Sequence, residues 1–345
     1  MKKLFTTIFL TLLTIMVVAQ SQDYTIINVT TPGTLKSILD AREEKFIFYM
    51  KVTGNIDVRD IKCLRDNNPA LAFLDLSEAT INEYYGNDGT YVGVAGRLVY
   101  KFYLANELPE NSFSNSKGTS SLVKVILPNT ITSINYGAFY GCSALTDIII
   151  ANSVTNIGKL VFSRCTALKS ISFPNSVTTI GGSAFYEKYV FMELTDITLG
   201  NSVGDIGGAA FYLCKKLKTI TCLSTIPPAF GDSTFDFFDA LTTIYVPAAS
   251  VAAYKASKWG TLFYSRIKAN PTDDITGITS GIKVYATSSE IIVESTTPGE
   301  TVTLYSITSK QLKTIVPTGE KINIPIDKHG IYLVKTGGKT YKVVV

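Results

Sequence analysis

One phrase of about 23 residues recurs six times between residues 122 and 247, and it constrains the fold more than any other feature. Successive copies begin 23, 23, 26, 23 and 24 residues apart, at Leu122, Leu145, Leu168, Leu194, Leu217 and Leu241. So short a period over so long a stretch is typical of structural units that stack on one another. A single unit has no closed core, because its apolar face is covered only when neighbours pack against it. The sequence therefore predicts a solenoid.

Apolar residues recur at fixed positions within each copy. The first, fourth and sixth positions, Leu122, Val125 and Leu127 in the first copy, alternate as the inward face of a strand does. Later inward positions are the tenth, thirteenth and eighteenth, and the eighteenth is Phe139, Phe162, Phe185 and Phe211 in four copies. Because equivalent strands of stacked units lie side by side, we expect a parallel sheet along one side of the solenoid.

The five cysteines follow the repeat more than any pairing pattern. Cys142, Cys165 and Cys214 share the twenty-first position, Cys222 takes an inward strand position, and Cys63 precedes the array. Their count is odd, and no Cys-x-x-Cys or Cys/His pairing occurs. We therefore interpret them as buried structural thiols rather than as disulfides or metal ligands.

The repeated phrase also carries a family resemblance. Its fullest form, Leu-x-x-Ile-x-Leu-Pro-Asn-Ser-Val-Thr-x-Ile-Gly-x-x-Ala-Phe-x-x-Cys, is best seen in residues 168–185 and 194–214. It resembles the BspA-like leucine-rich repeat of bacterial surface proteins over about residues 71–269. The Ile-Gly-x-x-Ala-Phe half distinguishes it from other leucine-rich repeats. The resemblance implies a leucine-rich-repeat solenoid and adhesion to host or bacterial surface molecules.

The first twenty residues are typical of a secretory signal peptide. Lys2 and Lys3 precede an apolar run over residues 4–18, and Ala19 supplies a small residue at the expected cleavage point. The run is too short to predict a membrane span, and we expect none in the mature chain. The formal net charge of +4, reduced by the two lysines after cleavage, does not indicate nucleic-acid binding. We expect an exported protein at the outer cell surface or outside the cell, with the periplasm as an alternative.

Residues 21–69 do not repeat, and we interpret them as an α/β cap over the first unit of the array. The array follows as residues 70–269, and we expect it to end in a capping helix that contains Tyr254 and Trp259. We favour packing of these two rings on the last repeat over sugar binding. Residues 81–98 interrupt the array with a glycine- and tyrosine-rich loop, which we consider either a binding site or a plain insertion. Its candidate residues are Tyr84, Tyr85 and Tyr91.

After a polar linker at residues 270–281, the pattern changes to short strands separated by turn signals. Residues 282–345 therefore predict a small antiparallel β-sandwich. The order of its segments, with Gly330-Ile-Tyr-Leu-Val334 near the end, is similar to the C-terminal sorting domain of the Bacteroidetes type IX secretion system. The fold class that we predict is an α+β capped leucine-rich-repeat solenoid followed by this β-sandwich.

Catalytic signals are weak. The single histidine, His329, lies in the C-terminal domain, so the array cannot build a Ser-His-Asp or Cys-His arrangement. Asp232, Asp236 and Asp239 cluster in one repeat, but their spacing fits no calcium loop. We expect no enzyme activity, cofactor or metal.

The outward strand positions of the repeats offer a surface instead. They form a strip, mostly of threonine and serine, that could bind an extended protein or a glycan, although threonine is also an ordinary exposed strand residue. We define this threonine strip as Lys124, Thr146, Asp147, Ser170, Ser172, Thr195, Asp196, Thr198, Thr219, Thr221, Thr243 and Tyr245. Our first hypothesis is a secreted or surface-displayed adhesion protein that binds a host or bacterial surface protein or glycan. The alternatives are a self-assembling envelope component without a soluble ligand and, third, a polysaccharide or peptide hydrolase.

Overall fold

The computed structural model describes residues 24–42, 46–91, 99–115, 120–188, 192–237 and 240–270 of the N-terminal part. In the C-terminal part it describes residues 283–286, 290–294, 301–306, 311–317, 321–326, 331–336 and 339–344. The chain divides into two compact units, Met1–Ala269 and Asn270–Val345. The predicted signal peptide and most of the predicted linker lie outside the described residues.

The chain opens with two parallel strands and two helices that cover the start of the array. Strand Thr25–Val29 pairs with strand Tyr49–Ile56, and helices Leu35–Arg42 and Val58–Asn67 follow one strand each. The Asp57 carboxylate accepts a hydrogen bond from Arg59 N, which caps the second helix. The first helix buries Leu35 and Leu39 against the core.

The first strand of each repeat carries the threonine strip, and we call it the outward strand. The outward strands lie in two parallel sheets, where we expected one. The first contains Thr25–Val29, Tyr49–Ile56, Phe73–Asp75, Lys124–Ile126 and Asp147–Ile149, with the short strand Ala79–Ile81 paired beside Tyr49–Ile56. The second contains Ser170–Ser172, Asp196–Leu199, Thr219–Cys222, Thr243–Val246 and Ile267–Ala269. At the break the inward residue Ile148 is only half-buried, whereas Val125 and Ile197 at the same repeat position are buried. The core is therefore less closed where the hydrogen-bonded ladder is interrupted.

A second ladder of two-residue strands runs through the later half of the repeats. All of its neighbours pair in parallel, one repeat apart. Its strands are Glu107–Leu108, Ser133–Ile134, Asn156–Ile157, Thr179–Ile180, Asp205–Ile206 and Ala229–Phe230. The sequence identified the inward isoleucines of this ladder but not the strands, because two residues are too few to show alternation.

Aromatic rings stack through the core, four of them at the eighteenth repeat position. Phe113, Phe139, Phe162, Phe185, Phe211 and Phe235 form a continuous stack with ring centroids 5.1–5.7 Å apart. The five cysteines are buried and free, as predicted. Cys142 Sγ and Cys165 Sγ each donate to a phenylalanine carbonyl of an earlier repeat at 3.2 Å. Burial raises the pKa of the Cys142 thiol to about 12, so it stays protonated and acts as an apolar group.

The array closes with two short helices, Val251–Ala256 and Lys258–Phe263, where we expected one. Ser257 separates them in an extended conformation, and its side chain accepts a hydrogen bond from Trp259 N. Short 3-10 helices, Ala248–Ser250 and Tyr264–Arg266, flank the pair. The rings of Tyr254 and Trp259 are fully buried, and each donates a hydrogen bond to a backbone carbonyl of the repeat that begins at Leu217. These two residues therefore pack on the array and have no surface available for sugar.

The C-terminal unit contains two antiparallel sheets. The first joins Lys283–Ala286, Glu290–Glu294 and Lys321–Pro325, and the second joins Val302–Ser306, Gln311–Ile315, Ile331–Thr336 and Lys339–Val344. Both sheets contribute to one apolar cluster, which contains Ile291, Val293, Val302, Leu304, Ile324, Val334 and Val343. Within the described parts of the chain, none of the helices combines the length and apolar character needed to cross a bilayer.

Candidate functional site

The threonine strip follows the outward face of the two parallel sheets. In the second sheet, Ser170, Asp196 and Thr219 pair in register along one column, and Ser172, Thr198 and Thr221 pair along another. Lys124 and Asp147 lie in the first sheet, on the other side of the break, and Thr146 directly precedes the strand of Asp147. The hydrogen-bonded ladder beneath the strip is therefore interrupted once, between strands Asp147–Ile149 and Ser170–Ser172.

The strip is not equally accessible along its length. Thr146, Asp147, Ser170, Ser172 and Asp196 are exposed, whereas Lys124, Thr195, Thr198, Thr219, Thr221 and Tyr245 are partly buried. Thr243 was expected to face solvent, and that expectation is wrong, because it is only 9% exposed. Its strand is flanked by Thr219–Cys222 on one side and by the closing strand Ile267–Ala269 on the other. Thr243 thus contributes little surface to a partner.

Several strip side chains bond to the scaffold itself. The Thr146 and Thr195 hydroxyls each donate to a backbone carbonyl of the preceding repeat, at 3.3 and 3.1 Å. Lys124 Nζ and Asp147 Oδ2 form an ion pair at 2.6 Å across neighbouring strands. These contacts favour a structural role for the position-two threonines, since such bonds tie each repeat to the one before it.

An aromatic column precedes the strip on the first sheet and was missed in the sequence. Tyr49, Phe73 and Lys124 occupy successive strands in register. The rings of Tyr49 and Phe73 stack with centroids 4.6 Å apart, and Tyr24 meets Tyr49 edge-on at 6.2 Å. Burial, and then the charge of Asp75, raise the pKa of Tyr24. Alignment of Tyr49 and Phe73 with the outward position of Lys124 would have revealed the column.

The three loop tyrosines do not form one site. Strand Tyr84–Gly86 pairs antiparallel with strand Lys101–Tyr103, so the described part of the excursion is a short hairpin. The Tyr84 hydroxyl donates to the Asp88 carboxylate, and this hydrogen bond raises the pKa of Tyr84 to about 12. The Arg59 guanidinium lies 4.4 Å from the Tyr84 ring centroid. Tyr84 is therefore held against the cap.

Tyr85 and Tyr91 have different surroundings. Tyr91 is partly buried, and Lys101 Nζ lies 4.9 Å from its ring centroid. Tyr85 is exposed, and its ring centroid lies 5.9 Å from that of Tyr100. Of the three predicted loop residues, only Tyr85 offers a free aromatic surface.

The hairpin exposes a run of large apolar side chains that the sequence analysis did not select. Along residues 100–103, the exposed Tyr100 and Phe102 alternate with Lys101 and the buried Tyr103. Lys101 forms an ion pair with Glu110. The alternation is the signal that would have found them. We define the hairpin patch as the residues here that are 44–65% exposed, namely Tyr85, Val99, Tyr100, Phe102 and Leu104.

A cleft of about 360 Å³ lies between the hairpin and the beginning of the second ladder. Its lining combines Phe102, Leu104 and the exposed ring of Tyr136 with polar groups of Glu107 and Asn135. Asn135 Nδ2 donates to Glu107 Oε2 at 2.8 Å, so the two polar groups hold each other in place. We call this space the hairpin cleft.

Two of the three aspartates considered for metal binding or hydrolysis, Asp232 and Asp236, are exposed to solvent. The third, Asp239, and the histidine His329 lie outside the described residues. Across the part of the chain that the structure describes, no group of three or more His, Cys, Asp or Glu side chains is placed to hold a metal ion.

The parallel ladders, with few helices, fit a leucine-rich-repeat solenoid. The sequence model of the family described as BspA type leucine rich repeat region matches residues 105–191 and 187–259, in six copies. Residues 105–259 therefore carry leucine-rich repeats of the BspA type. A search of curated protein sequences finds no match.

Solved structures of bacterial leucine-rich-repeat proteins resemble parts of the chain. A T. pallidum leucine-rich-repeat protein is 28% identical, with 45% of this chain and 69% of that chain covered and a TM-score of 0.36. A Bacteroides ovatus leucine-rich-repeat protein is 21% identical, with 66% and 44% covered and a TM-score of 0.38. The pneumococcal vaccine antigen PcpA is 17% identical, with 70% and 54% covered and a TM-score of 0.34.

Proposed function

We propose that this is an exported, surface-displayed binding protein in which the repeat array holds the hairpin patch toward a partner protein or glycan. The observation that carries the proposal is the concentration of five large exposed apolar side chains on one hairpin. Contiguous exposed apolar surface is costly in water and commonly marks an interaction site. The BspA-type repeats support the surface-adhesion part of the proposal.

The hairpin patch is a better candidate than the threonine strip. Aromatic side chains bring large contact area with little loss of side-chain entropy, and they dominate the energetics of most interfaces. The strip includes the buried Thr243, and some of its hydroxyls already bond to the backbone. We therefore assign the strip mainly to the scaffold.

The two ends of the chain complete the proposal. Residues 1–20 would direct export, as the charged start and apolar run suggest. Residues 282–345 would act as a sorting or attachment module, which rests on their resemblance to the type IX secretion sorting domain.

The test is binding of the full mature chain to immobilised matrix proteins and glycans. Replacement of both Tyr100 and Phe102 by Ser is expected to weaken binding at least about tenfold, the loss typical of interface aromatic anchors. Tyr264→Ser is the matched control, since Tyr264 is equally exposed but lies at the far end of the array. We expect it to bind normally.

Two outcomes would contradict the assignment. Binding that survives the Tyr100 and Phe102 changes but is lost on Thr198→Lys and Thr221→Lys would move the site to the threonine strip. Absence of binding to the whole panel, together with concentration-dependent oligomers, would instead favour a self-assembling envelope component.

A further inference from the structure

We propose that the hairpin cleft binds a neutral sugar ring, a pyranose within a glycan chain. This inference rests on the proposed binding function and names the chemistry of its ligand. The cleft lies between strand Lys101–Tyr103 and the residues that begin the second ladder. Its volume of about 360 Å³ falls at the lower end of the range for small-ligand sites, which suits one or two sugar rings.

The apolar part of the lining is aromatic and accessible. Phe102 is 50% exposed and Tyr136 is 49% exposed, and Leu104 lies beside them in the lining. A pyranose has an apolar C–H face that can lie flat on such a ring, and a rim of hydroxyls that remains to be hydrogen-bonded. Tyrosine serves this purpose well because it combines an apolar face with a polar tip.

The polar part of the lining is preorganised by a chain of hydrogen bonds along the second ladder. Asn135 Oδ1 accepts from Ser133 Oγ at 2.9 Å, and Ser133 Oγ accepts from Asn156 Nδ2 at 3.0 Å. Together with the Asn135 to Glu107 bond, these contacts fix the orientation of one amide and one carboxylate. Groups that are already oriented lose little entropy when a ligand arrives.

The fixed pair matches the needs of hydroxyl groups. A carboxylate is an acceptor only, so Glu107 can receive O–H donors with the lone pairs that Asn135 leaves free. The Asn135 amide has a second N–H, which can donate to a hydroxyl oxygen. One ring therefore finds both an acceptor and a donor next to an aromatic face.

The charge of the lining selects against anionic ligands. The acidic and basic side chains that line the cleft are Lys101, Glu107 and Glu110, and the ammonium group of Lys101 forms an ion pair with Glu110. Among these described lining residues, Glu107 carries the charge that is not paired within the lining. Sialylated, sulfated or phosphorylated ligands would meet like charge here, which disfavours them.

The geometry also disfavours an extended peptide as the main ligand. A peptide that adds to a sheet edge gains its affinity from a row of main-chain hydrogen bonds. The neighbouring strand, Lys101–Tyr103, has three residues and offers too few such bonds. A site that binds a peptide strand also has pockets for alternate side chains of the peptide, whereas this site is a single cleft.

The experiment measures binding of the full chain to a panel of neutral oligosaccharides and to sialylated and sulfated counterparts, by glycan array and then by calorimetry. We expect neutral glycans to bind and anionic ones to be rejected. Tyr136→Ala and Glu107→Gln are each expected to weaken neutral-glycan binding by about tenfold or more. Tyr264→Ser and Glu193→Gln, which change exposed groups elsewhere in the array, should bind like the parent chain.

The outcomes separate this inference from the proposed function. If no neutral glycan binds, but a protein ligand does and requires Tyr100 and Phe102, the sugar inference fails and the binding function stands. If anionic glycans bind more tightly than neutral ones, the charge argument is wrong and the inference fails. If nothing in either panel binds, both proposals fail. Thermal unfolding of each variant should match the parent chain, which identifies any loss of binding that comes from misfolding.

Discussion

Asp60 shows how one side chain can hold the cap together. It is buried, and its carboxylate accepts hydrogen bonds from the backbone N–H groups of Gly33, Leu35 and Asp57, at 2.6, 2.8 and 3.0 Å. These donors lie at the starts of both cap helices. Desolvation raises the pKa of Asp60, and the three backbone hydrogen bonds oppose that rise by favouring the carboxylate.

Asp60→Ala should destabilise the N-terminal unit strongly. The change leaves buried backbone donors without partners, and such losses cost about 1–3 kcal/mol each, so we expect about 2–4 kcal/mol in total after relaxation. The measurement is urea unfolding followed by circular dichroism. Asp40→Ala is the control, because Asp40 forms only an exposed ion pair with Lys36, and it should leave the midpoint nearly unchanged. Equal midpoints for the two variants would contradict the structural role of Asp60.

At the scale of elements, the phenylalanine stack connects neighbouring repeats from Phe113 to Phe235. Each ring inside the stack contacts the ring before it and the ring after it, so it shares its burial with two neighbours. In a solenoid the interfaces between neighbouring units provide most of the stability. Damage at the middle of the stack therefore affects two interfaces at once.

Phe162→Ala tests this connection. It removes a fully buried ring, and large-to-small changes of this kind cost about 3–5 kcal/mol. Chemical unfolding followed by circular dichroism should show a corresponding fall in the free energy of unfolding. Phe48→Ala removes the same ring from an exposed position and should cost much less. A loss below about 1 kcal/mol for Phe162→Ala would contradict the view that the stacked rings stabilise the interfaces between neighbouring repeats.

The strands differ in how well the sequence predicts them. The outward strands show alternation over several residues, so their position and inward face are predictable from Leu122, Val125 and Leu127 alone. The second ladder is not, because each of its strands has two residues and gains its partners only from neighbouring repeats. The break between the two outward sheets is likewise invisible in the sequence, since the copies on either side of it have the same pattern.

At the scale of the whole molecule, the two units have separate apolar cores. The core of the N-terminal unit extends from Ile27 to Ile267 and includes the closing Trp259. The core of the C-terminal unit is a smaller cluster around Ile291 and Val334. Each unit can therefore be assessed for its own stability.

Deletion of residues 282–345 should leave the array folded, with its thermal midpoint nearly unchanged. The same deletion should change where the protein is found in the cell, because we propose that this segment is a sorting or attachment module. The measurements are thermal unfolding of the purified chain and cell fractionation in the native host. A longer deletion, from residue 258, is the control for stability, because it removes Trp259 and uncovers the last repeat. Unaltered localisation would reject the sorting role.

What the sequence determined by itself is the internal plan of each repeat: its period, its inward residues and the burial of its cysteines. These properties are local, because every copy carries the same periodic pattern of apolar and polar residues. Only the tertiary structure decided which outward residues meet. It placed Tyr49 against Phe73 and brought Phe102 to the same cleft as Tyr136, although these residues belong to different segments. Stacking joins side chains from separate repeats, so a surface built by stacking cannot be read within any single one of them.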